Sequence, residues 1–332
     1  MKFSGYGRSI VALTLITALL SACSLDPNVR KQKYFQKGQS YFEKGKYQEA
    51  AIEFTNAIKI DSGYADAHFR LAETFLHLQQ GNRAYQELTR TIELRPEDYK
   101  ARIDLANLLI LGHKLQEAQG QVDWLLKNRP DDPSVHVVAA NLLAVQGKIP
   151  DAISEMQRGI ALDPGRWEPY LSLALLQVKN SDFAAAEVSF KKVIELNPKA
   201  MQPHLALGEF YQSQKRMDEA EQEFRTALAI DSTTMGPREA LARLDMIQGR
   251  KSDAEEVLKQ AVHDLPNNPD SYLALSNFYY VTGDLDKAVV QYHTLLSKRP
   301  KDLVVEKKYI ELLLQAKHYW PARSFVPVGL LV

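Results

Sequence analysis

The stretch Tyr34-Phe35-Gln36-Lys37-Gly38-Gln39-Ser40-Tyr41-Phe42-Glu43-Lys44-Gly45-Lys46-Tyr47-Gln48-Glu49-Ala50-Ala51-Ile52-Glu53-Phe54-Thr55-Asn56-Ala57 decides the fold. Its apolar and small residues recur at three- and four-residue spacing, as along one face of a helix. Tyr34, Phe35, Gly38, Tyr41 and Phe42 form one stripe, and Ala50, Phe54, Ala57 and Ile58 form a second. Between them Lys44-Gly45-Lys46 reads as a turn, with glycine in the left-handed position that ends a helix. The stretch is a pair of helices, and the chain repeats it. Alanine returns at Ala50, Ala84, Ala118, Ala152, Ala186, Ala220, Ala254 and Ala288, every 34 residues without an insertion. A period of that size marks a solenoid of stacked units, each with too little core to stand alone.

Other positions keep the same register. Twelve residues after the alanine comes Pro96, Pro130, Pro164, Pro198, Pro266 or Pro300, with Ser62 and Ser232 in the two remaining slots. A proline there ends the second helix, which it cannot easily continue. Four residues after the alanine stands a large apolar side chain, as at Phe54, Leu88, Met156 and Phe224. Twelve residues before it stands a small one: glycine at 38 and 208, serine at 276, alanine in the other five units. Small residues there let paired helices approach closely. Turns of the Lys44-Gly45-Lys46 kind are also expected at Gln80-Gly81-Asn82 and Thr282-Gly283-Asp284.

This pattern resembles the tetratricopeptide repeat (TPR) motif, which runs aromatic, Leu, Gly, aromatic, Ala, Phe, Pro at these offsets. Tyr34, Gly38, Tyr41, Ala50, Phe54 and Ala57 match it most fully, whereas Lys37 departs from the leucine of the first unit. The resemblance covers eight units: 31–64, 65–98, 99–132, 133–166, 167–200, 201–234, 235–268 and 269–302. It implies an all-α fold, a right-handed α-solenoid of tandem 34-residue helix-turn-helix units, continuous rather than divided into globular domains.

The N-terminus carries a second signal. Lys2 and Arg8 precede an apolar run, Ile10 to Leu20, too short for a bilayer span of roughly 20 residues, and Leu20-Ser21-Ala22-Cys23 follows. The pattern is that of an export signal over 1–22. Leu-Ser-Ala-Cys resembles the bacterial lipobox, which implies cleavage before Cys23 and lipid on its thiol and amino group, with a short linker to residue 30. Ser24 in place of aspartate favours, by the rule of that family, the outer membrane facing the periplasm. Multiple acyl chains give stable anchoring where one is marginal. Cys23 is the only cysteine, so no intramolecular disulfide forms and packing must carry stability.

Composition and motifs point away from several function classes. The chain holds 41 basic and 41 acidic residues; without Lys2 and Arg8 the balance is −2, and no basic stripe with interleaved aromatics is present. Nucleic acid is therefore not an expected partner. Gly45-Lys46 lacks the spacing of a phosphate loop, and no His-Glu-x-x-His pair or Gly-x-Ser-x-Gly elbow occurs. No enzyme, cofactor or metal function is expected. His68, His136 and His204, spaced by 68, share a slot with Tyr34, Tyr170 and Tyr272 and are expected to be structural.

In the TPR family the first helices of successive units line a concave groove, chiefly through their second, fifth, ninth, twelfth and thirteenth residues. The resemblance therefore implies a peptide groove. Its fifth positions include Phe35, Phe69, Ile103, Val137 and Leu171, its ninth Asn107, Asn141 and Asn277, and its twelfth Phe42, Ile110, Val178 and Tyr280. Chaperone-binding members hold a C-terminal carboxylate with lysine at the fifth position; apolar residues stand there in most units of this chain, which argues against such a clamp. A largely apolar groove with isolated amides suits an extended polypeptide or an amphipathic helix. The same apolar residues are equally suited to burial between neighbouring helices.

Residues 303–332 read as a partial ninth unit: Leu303 to Gln315 forms its first helix, while Pro321, Pro327 and Gly329 interrupt the second. Either a longer repeat protein is cut short here or the tail docks on the last unit. The expected function is a membrane-anchored scaffold that binds polypeptides of the cell envelope. The lipobox followed by regular repeats resembles the TPR lipoproteins of exopolysaccharide export and PEP-CTERM/exosortase sorting. The alternatives are the binding portion of a larger enzyme, such as a TPR-containing glycosyltransferase, and a self-associating structural protein.

Overall fold

The structure, a computed structural model, describes residues 26–315. The expected signal segment, Cys23 and the tail beyond Gln315 lie outside the described residues. Within them the chain is all-α: seventeen helices and no strand. Contacts divide the chain into two compact units at Asn180 and Ser181, between the two helices of the fifth 34-residue unit. The first compact unit contains α1 Pro27–Glu43, α2 Tyr47–Ile60, α3 Ala65–His77, α4 Gly81–Leu94, α5 Tyr99–Leu111, α6 Leu115–Asn128, α7 Pro133–Val145, α8 Ile149–Leu162 and α9 Glu168–Lys179. The second contains α10 Phe183–Leu196, α11 Met201–Ser213, α12 Met217–Ile230, α13 Gly236–Ile247, α14 Lys251–Asp264, α15 Pro269–Thr282, α16 Leu285–Lys298 and α17 Leu303–Gln315. Odd-numbered helices open the 34-residue units and even-numbered helices from α2 to α16 close them.

Each turn inside a unit places one residue in the left-handed region, always at the same register: Gly45, Gln79, His113, Gly147, Ser181, Lys215, Gly249 and Gly283, with φ between 56° and 87°. Two backbone bonds close the turn. In the first unit the Gly45 amide donates to the Phe42 carbonyl and the Lys46 amide to that of Tyr41, both at 2.9 Å, so helix-end carbonyls keep partners. The second unit corrects the expectation from sequence: Gly81 is the first residue of α4, and Gln79 takes the left-handed conformation. The register of the repeat, rather than the nearest glycine, fixes where the chain turns.

Helices within a unit meet at the small position. A Cβ on Gly38 would lie 2.7 Å from the Phe54 ring, and one on Gly208 2.5 Å from the Phe224 ring. Both phenylalanines are fully buried. Where the facing residue is smaller, alanine suffices, as with Ala72 and Leu88 or Ala140 and Met156, all without exposure. Glycine and phenylalanine thus compensate in volume across the helix pair, as close packing requires.

A polar clamp joins successive units at the slot that sequence assigned to aromatic packing. The side chain four residues into the unit reaches back to the carbonyl six residues earlier. His68 Nε2 lies 3.2 Å from the Ser62 carbonyl and His136 Nε2 2.7 Å from that of Pro130. Arg102 and Arg238 donate to Pro96 and Ser232, and the Tyr272 hydroxyl donates to Pro266 at 3.1 Å. Those carbonyls belong to the proline-or-serine slot of the preceding unit. The other histidine nitrogen faces a carboxylate on the second helix: His68 Nδ1 to Glu87 at 2.5 Å, and His136 Nδ1 to Glu155 and His204 Nδ1 to Glu223 at 2.7 Å. All three rings are buried. Their partners are the reason these positions hold polar groups at all.

In the second compact unit a further ladder ties each second helix to the next first helix. The Tyr211 hydroxyl donates to Glu187 at 3.0 Å and that of Tyr279 to Glu255 at 2.8 Å; Arg250 bridges Glu221 and Asp245. Bonds from Arg216, then Lys191 and Tyr211, hold the Glu187 carboxyl far down, at about 2, against its partial burial.

Candidate polypeptide-binding face

The first helices present the groove positions, and the structure sorts them into three groups. Most of the apolar fifth and twelfth positions are half-buried. Phe35 packs on Phe54 and Tyr64, with ring centroids 5.6 and 5.1 Å apart. Phe42 meets Tyr47 and His77 edge-on, and the Arg70 guanidinium lies over its ring. Phe69 and Ile103 lean on the core that runs from Ala72 to Leu142, and Val137 leans on the next core, around Met156. Leu171 and Val178 are half-buried on α9.

Ile110 is a correction. At 8 % exposure it is part of the core with Leu105, Leu109 and Val122, and it offers nothing to a ligand.

The open positions form the third group. Asn107 and Asn277 are exposed and Asn141 is half-buried; none of the three amides has a partner among the described residues. Tyr280 is 47 % exposed. Beside Asn107 and Asn141 stand apolar residues that reading the fifth and twelfth positions missed. Leu111 on α5 is 80 % exposed, Val145 on α7 43 %, and Leu175 on α9 56 %. In the second compact unit Ile247 and Val281 are likewise exposed. Leu111, Val145, Ile247 and Val281 all occupy the thirteenth position of their units, so the 34-residue register contained the signal. An exposed apolar strip repeated in register is unlike the scattered single apolar residues of an ordinary surface.

No Asp, Glu, Lys or Arg lies on α7, and α5 carries Lys100, Arg102 and one acid of note. Asp104 is half-buried on α5 and makes no hydrogen bond among the described residues; burial, then the neighbouring Glu73 and Asp98, push its carboxyl up to about 6. No described group of His, Cys, Asp and Glu side chains is arranged to hold a metal, and no described helix is long and apolar enough to cross a membrane.

Family models for the TPR repeat match residues 38–81, and others for the tetratricopeptide repeat match 79–144, 171–233 and 245–307. The chain belongs to the tetratricopeptide repeat family. Among TPR structures it resembles yeast Tom70, with a TM-score of 0.63 and 17 % identity over 86 % of this chain and 65 % of that one. A tetratricopeptide repeat protein from Parabacteroides merdae aligns with a TM-score of 0.50 and 17 % identity, over 75 % of this chain and 98 % of that one. Among curated proteins, DnaJ homolog subfamily C member 3 of Gallus gallus is 28 % identical over 34 % of this chain, and that of Bos taurus 27 % over 32 %. The match spans 23 % and 21 % of those two proteins' lengths. Such likeness fixes the TPR fold and leaves function to the site itself.

Proposed function

We propose that this TPR chain is a lipid-anchored adaptor that holds polypeptides of the cell envelope against the faces of its first helices. The observation that carries the reading is the strip of Leu111, Val145 and Leu175 standing free of the core, with the unpartnered amide of Asn107 beside it. Apolar side chains in open register supply burial for alternate residues of an extended segment, and amides meet its backbone. The absence of charge at most fifth positions leaves recognition of a terminal carboxylate without its cations. Anchoring rests on Leu20-Ser21-Ala22-Cys23, and a role in exopolysaccharide export or protein sorting rests on the lipobox being followed at once by regular repeats.

The test is photo-crosslinking in the native envelope from Leu111 and Leu175, with a control on the outward Ile52. A discrete polypeptide captured from the first two positions alone supports the adaptor. Equal capture from Ile52, or none from the strip, overturns it. Anchoring is tested by labelled palmitate in the wild-type chain and the Cys23→Ser variant; label that survives the substitution sinks the lipoprotein reading.

A further inference from the structure

A cavity of about 190 Å³ lies between α15, α16 and α17, all within the second compact unit. Asn277 and Tyr280 line it from α15, Tyr292 from α16, and Lys308, Glu311 and Leu312 from α17. Tyr292 is only 6 % exposed, yet its hydroxyl has no hydrogen-bond partner among the described residues. Burial pushes this phenol up, and Lys308 and Glu311 act on it in opposite directions. That hydroxyl is not sealed in the core; it keeps access to solvent, and Tyr292 lines the cavity. The amide of Asn277 and the hydroxyl of Tyr280 also lack protein partners among the described residues.

We propose that this cavity is a side-chain pocket that receives a neutral aromatic residue with a polar tip, tyrosine or tryptophan, from a bound polypeptide. The proposal rests on the adaptor reading above and names what one of its repeats selects. Size admits one large side chain and excludes a folded segment; pockets for whole small molecules start at roughly 300 Å³. Charge selects against ions. Lys308 Nζ donates to Glu311 at 2.8 Å, so the wall carries no unopposed charge to hold an ion. The ring of Tyr280 and the Leu312 side chain offer an apolar wall, and the Tyr292 phenol and Asn277 amide offer donors and acceptors. An aromatic body with a polar tip satisfies both. Asn277 and Tyr280 occupy the ninth and twelfth positions of their repeat, so the mouth lies on the first-helix face that would carry the polypeptide.

The experiment titrates short acetylated and amidated Gly-Ser peptides, with Tyr, Trp, Phe, Arg or Glu at the centre, into the full chain by NMR. The tyrosine and tryptophan peptides bind, the tyrosine peptide about 5-fold tighter than the phenylalanine one, the worth of one hydrogen bond. Tyr292→Phe, which keeps the ring and the fold, erases that difference, and Asn277→Ala weakens the tyrosine peptide. Preference for the Arg or Glu peptide, an unchanged tyrosine preference in Tyr292→Phe, or no binding at all overturns the proposal. Binding that emerges only when the chain's own Tyr319 and Trp320 are both changed to alanine also overturns it, because the occupant is then this chain. Leu111 and Leu175 lie on other repeats, so capture there with a silent pocket sinks only the pocket; loss of both sinks the adaptor reading as well.

Discussion

At the residue scale, single contacts explain which substitutions the repeat tolerates. Gly208→Ala drives a Cβ into the Phe224 ring, and such overpacking costs about 1–3 kcal/mol; Phe224→Leu in the same chain should restore much of it, read as the two melting temperatures. At the clamp, His136→Leu removes both polar contacts and leaves Glu155 facing an apolar group, whereas His136→Tyr can keep the bond that Tyr272 makes to its own carbonyl. Equilibrium unfolding should show His136→Leu weaker than His136→Tyr by about 1 kcal/mol. Asp104 titrates in the opposite sense to most acids. Its folded value near 6 lies above the unfolded 3.8, so it opposes folding once pH exceeds that range and costs nothing below it. Asp104→Asn should therefore stabilise by roughly 1–3 kcal/mol at pH 7.5 and be neutral near pH 3.5; denaturation at both values checks the sign. The clamp slot was legible only as a shared position of His and Tyr. Its partner carbonyls were not, because the contact joins groups six residues apart across a unit boundary that sequence spacing marks only as a proline.

At the element scale, each helix pair is closed by a left-handed residue, and four units place a side chain where glycine would be free of strain. Gln79→Gly and Lys215→Gly should each stabilise by about 0.5–1 kcal/mol, the left-handed penalty less the entropy that glycine adds to the unfolded chain. A loss of stability in both would show that the turn is relaxed as it stands. The Glu187 ladder predicts an acid response of the second compact unit. A carboxyl held near 2 contributes fully above its unfolded value of about 4.5 and progressively less as pH falls toward 2. Glu187 is partly exposed, so solvent screening keeps the worth near ~1 kcal/mol. Glu187→Gln should remove that slope and leave stability at pH 2 unchanged, as followed by circular dichroism. Helix positions were legible because alanine, the small residue and the proline slot recur together. The Gly81 turn was misjudged because a glycine also opens helices, and only the backbone shows which.

At the scale of the whole molecule, the 34-residue register carried the fold, and the face was legible only in part. Asn107, Asn277 and Tyr280 stand open, but Ile110 is buried and Leu111, its immediate neighbour, is the exposed one. A helix packed on two sides carries an apolar stripe wide enough that periodicity cannot say which edge remains uncovered. The neighbouring repeat decides that, and its position is not written in the helix. Leu111→Glu and Leu175→Glu should leave melting within about 0.5 kcal/mol of wild type, since both side chains already face solvent, while abolishing crosslinked partner. Unchanged capture in the double variant would remove the strip from any recognition role.

The clamp has a consequence for ancestry. Where it forms, its acceptor is the carbonyl that closes one repeat and its donor sits at the same place in the next: Ser62 with His68, Pro96 with Arg102, Pro130 with His136. Tyrosine, arginine and histidine all satisfy the same acceptor. Removing residues 99–132 would bring His136 to Pro96, and duplicating them would bring a second Arg102 to Pro130, in either case a pairing the molecule already uses. Gene-level gain or loss of whole repeats therefore keeps this clamp at the new seam, and chain length in such a lineage can change in steps of 34 without losing it.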